Sequence, residues 1–139
     1  MPPQDTKTPN PLEERDIIWL AIGRIWRPYL TTEEFGIVDY ILDNSIARGR
    51  YTFAASFQQM ETGIRATDGS PWPWTLTPIN LTKATFYRTL AKLKARGLVS
   101  AVVCGARFTR FEINLDWRPE AGVPSAIDAL SFQAEELFA

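Results

Sequence analysis

The chain has 139 residues, 45% of them hydrophobic and 12% aromatic, which is enough apolar material for one domain with modest extensions and leaves disorder expected only at the ends. One cysteine, Cys104, and no histidine exclude an internal disulfide, a Ser-His or Cys-His nucleophile pair, an imidazole base and a Cys/His zinc site. The net charge of −1 gives no general attraction to a polyanion, so any such affinity has to come from how the charges are distributed.

Residues 1–12 contain four prolines and read as a flexible leader. Met1 to Lys7 has no hydrophobic signal region, and the longest apolar stretch, residues 17–22, is too short to span a bilayer, so a cytoplasmic protein without membrane partners is expected. From Leu12 to Arg27 the pattern is helical. Acids open this stretch, and Arg24 and Arg27 close it, as the helix dipole favours. Pro28 is expected to end it. Ile18, Ile22 and Ile25 form one stripe, with Trp19 and Trp26 beside it. This stripe has two readings, packing on the protein's own core or serving as the face of a homodimer.

Leu30-Thr31-Thr32-Glu33-Glu34-Phe35 predicts a helix start. Thr31 caps the Glu34 amide, Glu34 reaches back, and Leu30 and Phe35 form a hydrophobic staple. Phe35, Val38, Leu42 and Ile46 then mark the buried face, with Ile41 at its edge, and Gly49 is expected to stop the helix. Residues 50–53 suit a short strand. Ser56-Phe57-Gln58-Gln59 is a second capping box, opening a short helix to about Thr62 in which Phe57, Met60 and the following Ile64 face inward, with Gly63 as the C-terminal cap. Residues 65–80 are rich in turn formers and predict a hairpin excursion reversing at Asp68-Gly69.

A further helix begins at Thr82, its cap, and runs to Arg96 before Gly97. Phe86, Leu90 and Leu93 are its buried stripe. The period then changes to alternation, predicting two strands over residues 98–104 and 107–115 around a Gly105-Ala106 turn, with Phe111, Ile113 and Leu115 on one side. A linker follows Trp117, then a weak acidic helix over residues 125–138 that is a candidate docking site for a protein partner. The expected domains are thus residues 1–12, 13–117 and 118–139.

From Gly69 to Phe111 the chain has no Asp or Glu, while Lys83, Arg88, Lys92, Lys94, Arg96, Arg107 and Arg110 supply seven positive charges. All 16 acids lie elsewhere. A helix with this charge and a hairpin behind it is the composition of a DNA-binding surface. On the helix, Ala84 and Arg88 lie opposite the buried stripe, where small side chains allow close approach and Arg88 can reach guanine in the major groove. Thr82, Lys83, Thr85 and Lys92 suit phosphate contacts, Tyr87 flanks them, and Arg107, Thr109 and Arg110 extend the surface along the hairpin. Trp72 and Trp74 have two readings, a DNA- or partner-binding arm or a cover over the core.

The order helix, short helix, helix, glycine, two-stranded hairpin is that of a winged helix-turn-helix, a mainly α fold with a small β-hairpin wing. More narrowly, Gly63-Ile64, Asp68-Gly69 and Leu81-Thr82 resemble features of the DNA-binding domain of phage O-type replication proteins and their relatives on mobile elements. The absence of histidine and of nucleotide- or metal-binding motifs makes a non-enzymatic protein without metal or cofactor the expectation, and the resemblance implies a bacterial protein that binds double-stranded DNA. Its role is expected to be that of a transcriptional regulator or accessory factor of a phage, plasmid or integrated element. Two alternatives remain open: a replication initiator that recruits a helicase, and a winged helix that binds protein rather than DNA. The long excursion between the short helix and the next one departs from the ordinary three- or four-residue turn.

Overall fold

The computed structural model describes residues 11–69 and 71–131. In chain order its helices and strands are α1 (Pro11–Ala21), α2 (Thr32–Asn44), β1 (Thr52–Ala55), α3 (Phe57–Thr62), β2 (Ile64–Arg65), β3 (Trp74–Leu76), α4 (Lys83–Ala95), β4 (Val99–Val103), β5 (Thr109–Ile113) and α5 (Ala126–Ala129). The fold is mixed α/β with a small antiparallel sheet. No described helix is long and apolar enough to cross a membrane.

Two compact units divide the chain, Thr32–Asn114 and a second made of Met1–Thr31 with Leu115–Ala139. The sequence-based division placed the N-terminal helix with the central elements. Instead, α1 shares its unit with the segment after Leu115.

In the central unit the strands run in the order β1-β5-β4. Alternation along β5 explains its place in the middle: Phe111 and Ile113 are buried while Arg110 and Glu112 are exposed, so one face meets the core and one meets water. Phe111 sits opposite Phe53 of β1 and Ala101 of β4. The expected short strand at 50–53 is therefore the third strand of a sheet, displaced to residues 52–55. Rings link the layers. Phe53 stacks on Phe111 at 5.9 Å, Tyr40 of α2 meets Phe53 edge-on at 5.9 Å, and Phe86 of α4 meets Phe111 edge-on at 6.2 Å. Each such pair is worth about 0.5–1.5 kcal/mol beyond the area it buries.

On α2, Ile37, Val38, Tyr40, Ile41 and Leu42 are buried and Phe35 is half-buried, a broader stripe than the sequence pattern indicated. Asn44 and Ser45, also buried, bond back to the carbonyls of Tyr40 and Ile41 at 2.9 and 2.6 Å, so the helix end is satisfied without water. The helix ends here rather than at Gly49. Gly49 instead closes a separate 3-10 turn, Ile46–Arg48, at φ 77°. On α3 the capping box of Ser56 and Gln59 forms as expected, with both bonds at 3.1 Å.

The excursion between α3 and α4 is a hairpin, β2 pairing antiparallel with β3. Three features fix its base. The Tyr40 hydroxyl donates to the Thr77 carbonyl at 2.7 Å, and the Ile79 amide donates to the Met60 carbonyl at 2.8 Å. Burial, and then the Asp43 carboxylate, raise the pKa of the Tyr40 phenol, against the opposing pull of Arg48, so the hydroxyl stays a donor. Gly63 is the third feature. It adopts φ +76°, and a Cβ there would lie 2.8 Å from Trp74 Cζ3 and 2.9 Å from both the Leu76 carbonyl oxygen and Pro78 Cδ. Ile64, expected to face inward, is 37% exposed. Its neighbour Gly63 fills the close approach to the hairpin, and β2 pairing turns Ile64 out.

In the other unit α1 continues through a π-helical turn, Ile22–Trp26, and a 3-10 turn, Arg27–Tyr29, that accommodates Pro28 at its start. Thus Pro28 tightens the helical path rather than ending it at once. Ala21 and Ala129 are wholly buried where α1 meets α5, with Ile17, Leu20 and Ile25 packed around them. Trp26 meets Trp117 edge-on at 5.1 Å, and its indole N–H donates to the Pro124 carbonyl at 3.3 Å. Of the two readings of the N-terminal apolar stripe, burial in the chain's own core is the one observed. Ile18, Ile22 and Trp26 are 2%, 1% and 0% exposed, and Trp19 and Ile25 are half-buried. The stripe belongs to the chain's own core. Of the expected tail helix, Ala126–Ala129 forms with a Ser125–Asp128 capping box, and residues 132–139 lie outside the described residues.

Gly63→Ala should cost about 2–4 kcal/mol, because it adds a left-handed backbone penalty to a clash with main chain. Urea denaturation measures this, and a change below about 0.5 kcal/mol would contradict the packing described.

Candidate nucleic-acid interface

The sequence placed its candidate surface on α4 and the β4–β5 hairpin, and α4 has the expected two sides. Phe86, Thr89, Leu90 and Leu93 are buried, and Lys83, Ala84, Tyr87, Arg88, Ala91, Lys92, Lys94 and Ala95 are exposed. The apolar residues recur at helical spacing and take one face. The remaining positions make an outward strip of cations and alanines without a carboxylate.

The first turn of this helix lacks an acid, as that of α3 does, and carries a cation in addition. The opening turn of α2 carries Glu33 and Glu34, and that of α5 carries Asp128, while α4 has no acid there and starts with Lys83. A cation at a helix N-terminus opposes the macrodipole, at a cost of some tenths of a kcal/mol when exposed. Thr82 caps the helix by accepting from the Thr85 amide at 3.2 Å, and its hydroxyl donates to Thr85 Oγ1 at 3.0 Å. Arg88 Nη2 lies 3.5 Å from the same Thr85 oxygen, which draws the guanidinium toward the start of the helix. Thr82 and half-buried Thr85 therefore hold the local geometry. Lys83, Arg88, Lys92 and Lys94 are the side chains that face outward with charge.

Tyr87 is 47% exposed, with its ring 5.8 Å from Phe57 and 5.2 Å from Phe86. It is thus held at the edge of the strip by α3. In the hairpin, the Cys104 amide donates to the Phe108 carbonyl at 3.0 Å, closing the turn. Arg107 is exposed in that turn. Thr109 and Arg110 do not act together as expected. Alternation puts half-buried Thr109 on the face of Phe111, which packs on α4, and sends Arg110 to the opposite face of the sheet.

The two tryptophans also separate. Trp74 is half-buried beneath the Arg65 guanidinium, 4.7 Å from its ring. Trp72, toward the tip of the excursion, is 74% exposed, so it is not the cover over the core that one reading assigned to it.

One of the seven cations has a structural partner that the sequence did not indicate. Arg96 Nη1 donates to Glu34 Oε1 at 3.2 Å, and the Glu34 side chain is only 7% exposed against 34% for Arg96. Glu34 stands three and four residues before buried Ile37 and Val38 on α2. That position on the stripe is the signal that its carboxylate needed a partner inside the fold. No family model, curated protein or solved structure matches this chain.

Removing either end of this pair should have unequal effects. Arg96→Ala strips the cation from a buried carboxylate and should cost about 2–3 kcal/mol, while Glu34→Gln keeps an acceptor and leaves a half-exposed cation that water can solvate, so about 1 kcal/mol. Denaturation midpoints of the two variants measure the difference. Equal costs would show that the burial of Glu34 does not set the energetics of the pair.

Proposed function

We propose that Thr32–Asn114 is a winged helix-turn-helix that binds double-stranded DNA, with α4 in the major groove and the β4–β5 hairpin as the wing beside it. The observation that carries this reading is the outward strip of α4. It has four exposed cations, Lys83, Arg88, Lys92 and Lys94, interleaved with three exposed alanines, inside a stretch of sequence free of acid. An exposed helix kept merely soluble gains from mixed signs and from acids in its first turn. This strip forgoes both, which fits a surface whose counter-charge comes from outside the chain.

The division of labour follows from chemistry and position. Arg88 is the candidate for base readout, because a guanidinium spans two acceptors on guanine and Ala84 and Ala91 beside it leave room for close approach. Lys83, Lys92 and Lys94 suit phosphates, as does Arg107 at the wing. Arg96 is excluded from the set by its pairing with Glu34, and Arg110 by its place on the far face of the sheet. The biological setting that fits the resemblance is regulation or an accessory step in the DNA transactions of a mobile element. The protein acts by binding rather than by catalysis.

With four cations on phosphates, the affinity for duplex DNA should fall with a log–log salt slope of roughly −3 to −4. Titrations across a salt series measure it, and undetectable binding at low salt, or binding indifferent to salt, would refute the proposal. On a duplex selected from random sequence, Arg88→Ala should lose about 1–3 kcal/mol of discrimination against random DNA. Lys92→Ala should weaken both duplexes alike. Equal losses on both duplexes for both variants would remove Arg88 from the readout role.

A further inference from the structure

A groove of about 400 Å³ lies in the central unit, away from the strip on α4. One wall is the whole of β1, Thr52–Ala55, and the base of the β2–β3 hairpin contributes Ile64 and Leu76. Since β1 pairs only with β5 and ends the sheet on that side, its other edge is open. In an antiparallel ladder every second residue turns its amide and carbonyl away from the paired strand, so an open edge presents a row of main-chain donors and acceptors.

The two ends of the groove differ in chemistry. Arg48 and Arg50, just before β1, line one end. Both are exposed, and among the described residues neither takes part in a salt bridge. Phe108 lines the other end, since the next residue, Thr109, pairs with Ala55. Phe108 is 43% exposed and Ile64 37% exposed, so apolar surface of the groove is open to solvent, while the two arginines, with Asp43 and Glu112 in their neighbourhood, are held in no salt bridge among the described residues.

We propose that this groove docks an extended acidic–apolar segment of a partner protein, which adds to β1 as a fourth strand. The main-chain edge supplies register, the arginines take carboxylates, and Ile64, Leu76 and Phe108 take an apolar side chain. The β1–β5 register puts Phe108 opposite Ser56, six strand positions and about 20 Å from Arg50, so the acidic and apolar positions of the partner lie about six residues apart. A small organic anion reaches one end only. An extended chain meets both ends and the edge between them. The proposal does not rest on DNA binding, because the groove and the α4 strip share no residue and the arginine end of the groove lies apart from Arg107 in sequence and register.

The test is selection of random decapeptides displayed on phage against the full chain. Enrichment of Asp or Glu about six residues from Leu, Ile or Phe is expected. A synthetic peptide of the enriched sequence should bind about tenfold more weakly to Arg48→Glu/Arg50→Glu and to Ile64→Ser, and a proline at its centre should abolish binding. Unchanged thermal midpoints confirm that the variants are folded, and Ile64→Ser decides alone if the arginine pair variant is not. No enrichment, or enriched peptides indifferent to the substitutions, overturns the proposal. So does free phenylacetate binding in the groove as tightly as the peptide.

Discussion

The contact on which the central unit depends is that of Phe86 with Phe111. Phe111 stands in the middle strand, opposite Phe53 on one side and Ala101 on the other, and its ring receives Phe86 from α4. Phe86 in turn touches Phe57 of α3 at 5.4 Å. This pair of buried rings therefore joins all three strands to two helices. The orientation of α4 follows from it: once Phe86, Leu90 and Leu93 are turned to the core, Lys83, Arg88 and Lys92 have to face outward.

Electrostatics then separate structure from interface within one run of basic residues. Arg96 is drawn into the fold because Glu34 is buried and requires a cation. Lys83 goes the other way, set at a helix N-terminus where the macrodipole disfavours it. Arg110, on a strand of period two, is carried to the opposite face from its neighbours Thr109 and Phe111. Composition counts these charges as equal, and geometry assigns each a different role.

Local signals were legible in the sequence, and long-range ones were not. The caps at Ser56 and Thr82, the stripe of Phe86, Leu90 and Leu93, and the alternation along residues 109–113 involve residues a few positions apart, and each appears where the pattern put it. The strand near Arg50 was legible, but its partner was not, because Phe53 meets Phe111 across nearly the whole unit. Glu34 illustrates the ambiguity best. Its spacing from Thr31 suggested a capping box, and its spacing from Ile37 and Val38 suggested burial. The distant Arg96 answers the demand that burial makes on the carboxylate. The stripe of Ile18, Ile22 and Trp26 had the same limit, since an apolar face looks alike whether its cover is a second copy or a Trp117 far along the same chain. The groove beside β1 had no sequence signature at all, because Arg48, Ile64 and Phe108 come together only through folding.

The central claim is that the exposed strip of α4 is the surface that meets DNA. Backbone amide chemical shifts, followed while a duplex is titrated into the labelled protein at low salt, test it most directly. The account predicts perturbations concentrated on the outward residues of α4 around Arg88 and in the turn holding Arg107, with β1 and the arginines before it unaffected. Perturbations confined to other surfaces, or none at saturating duplex, would contradict it.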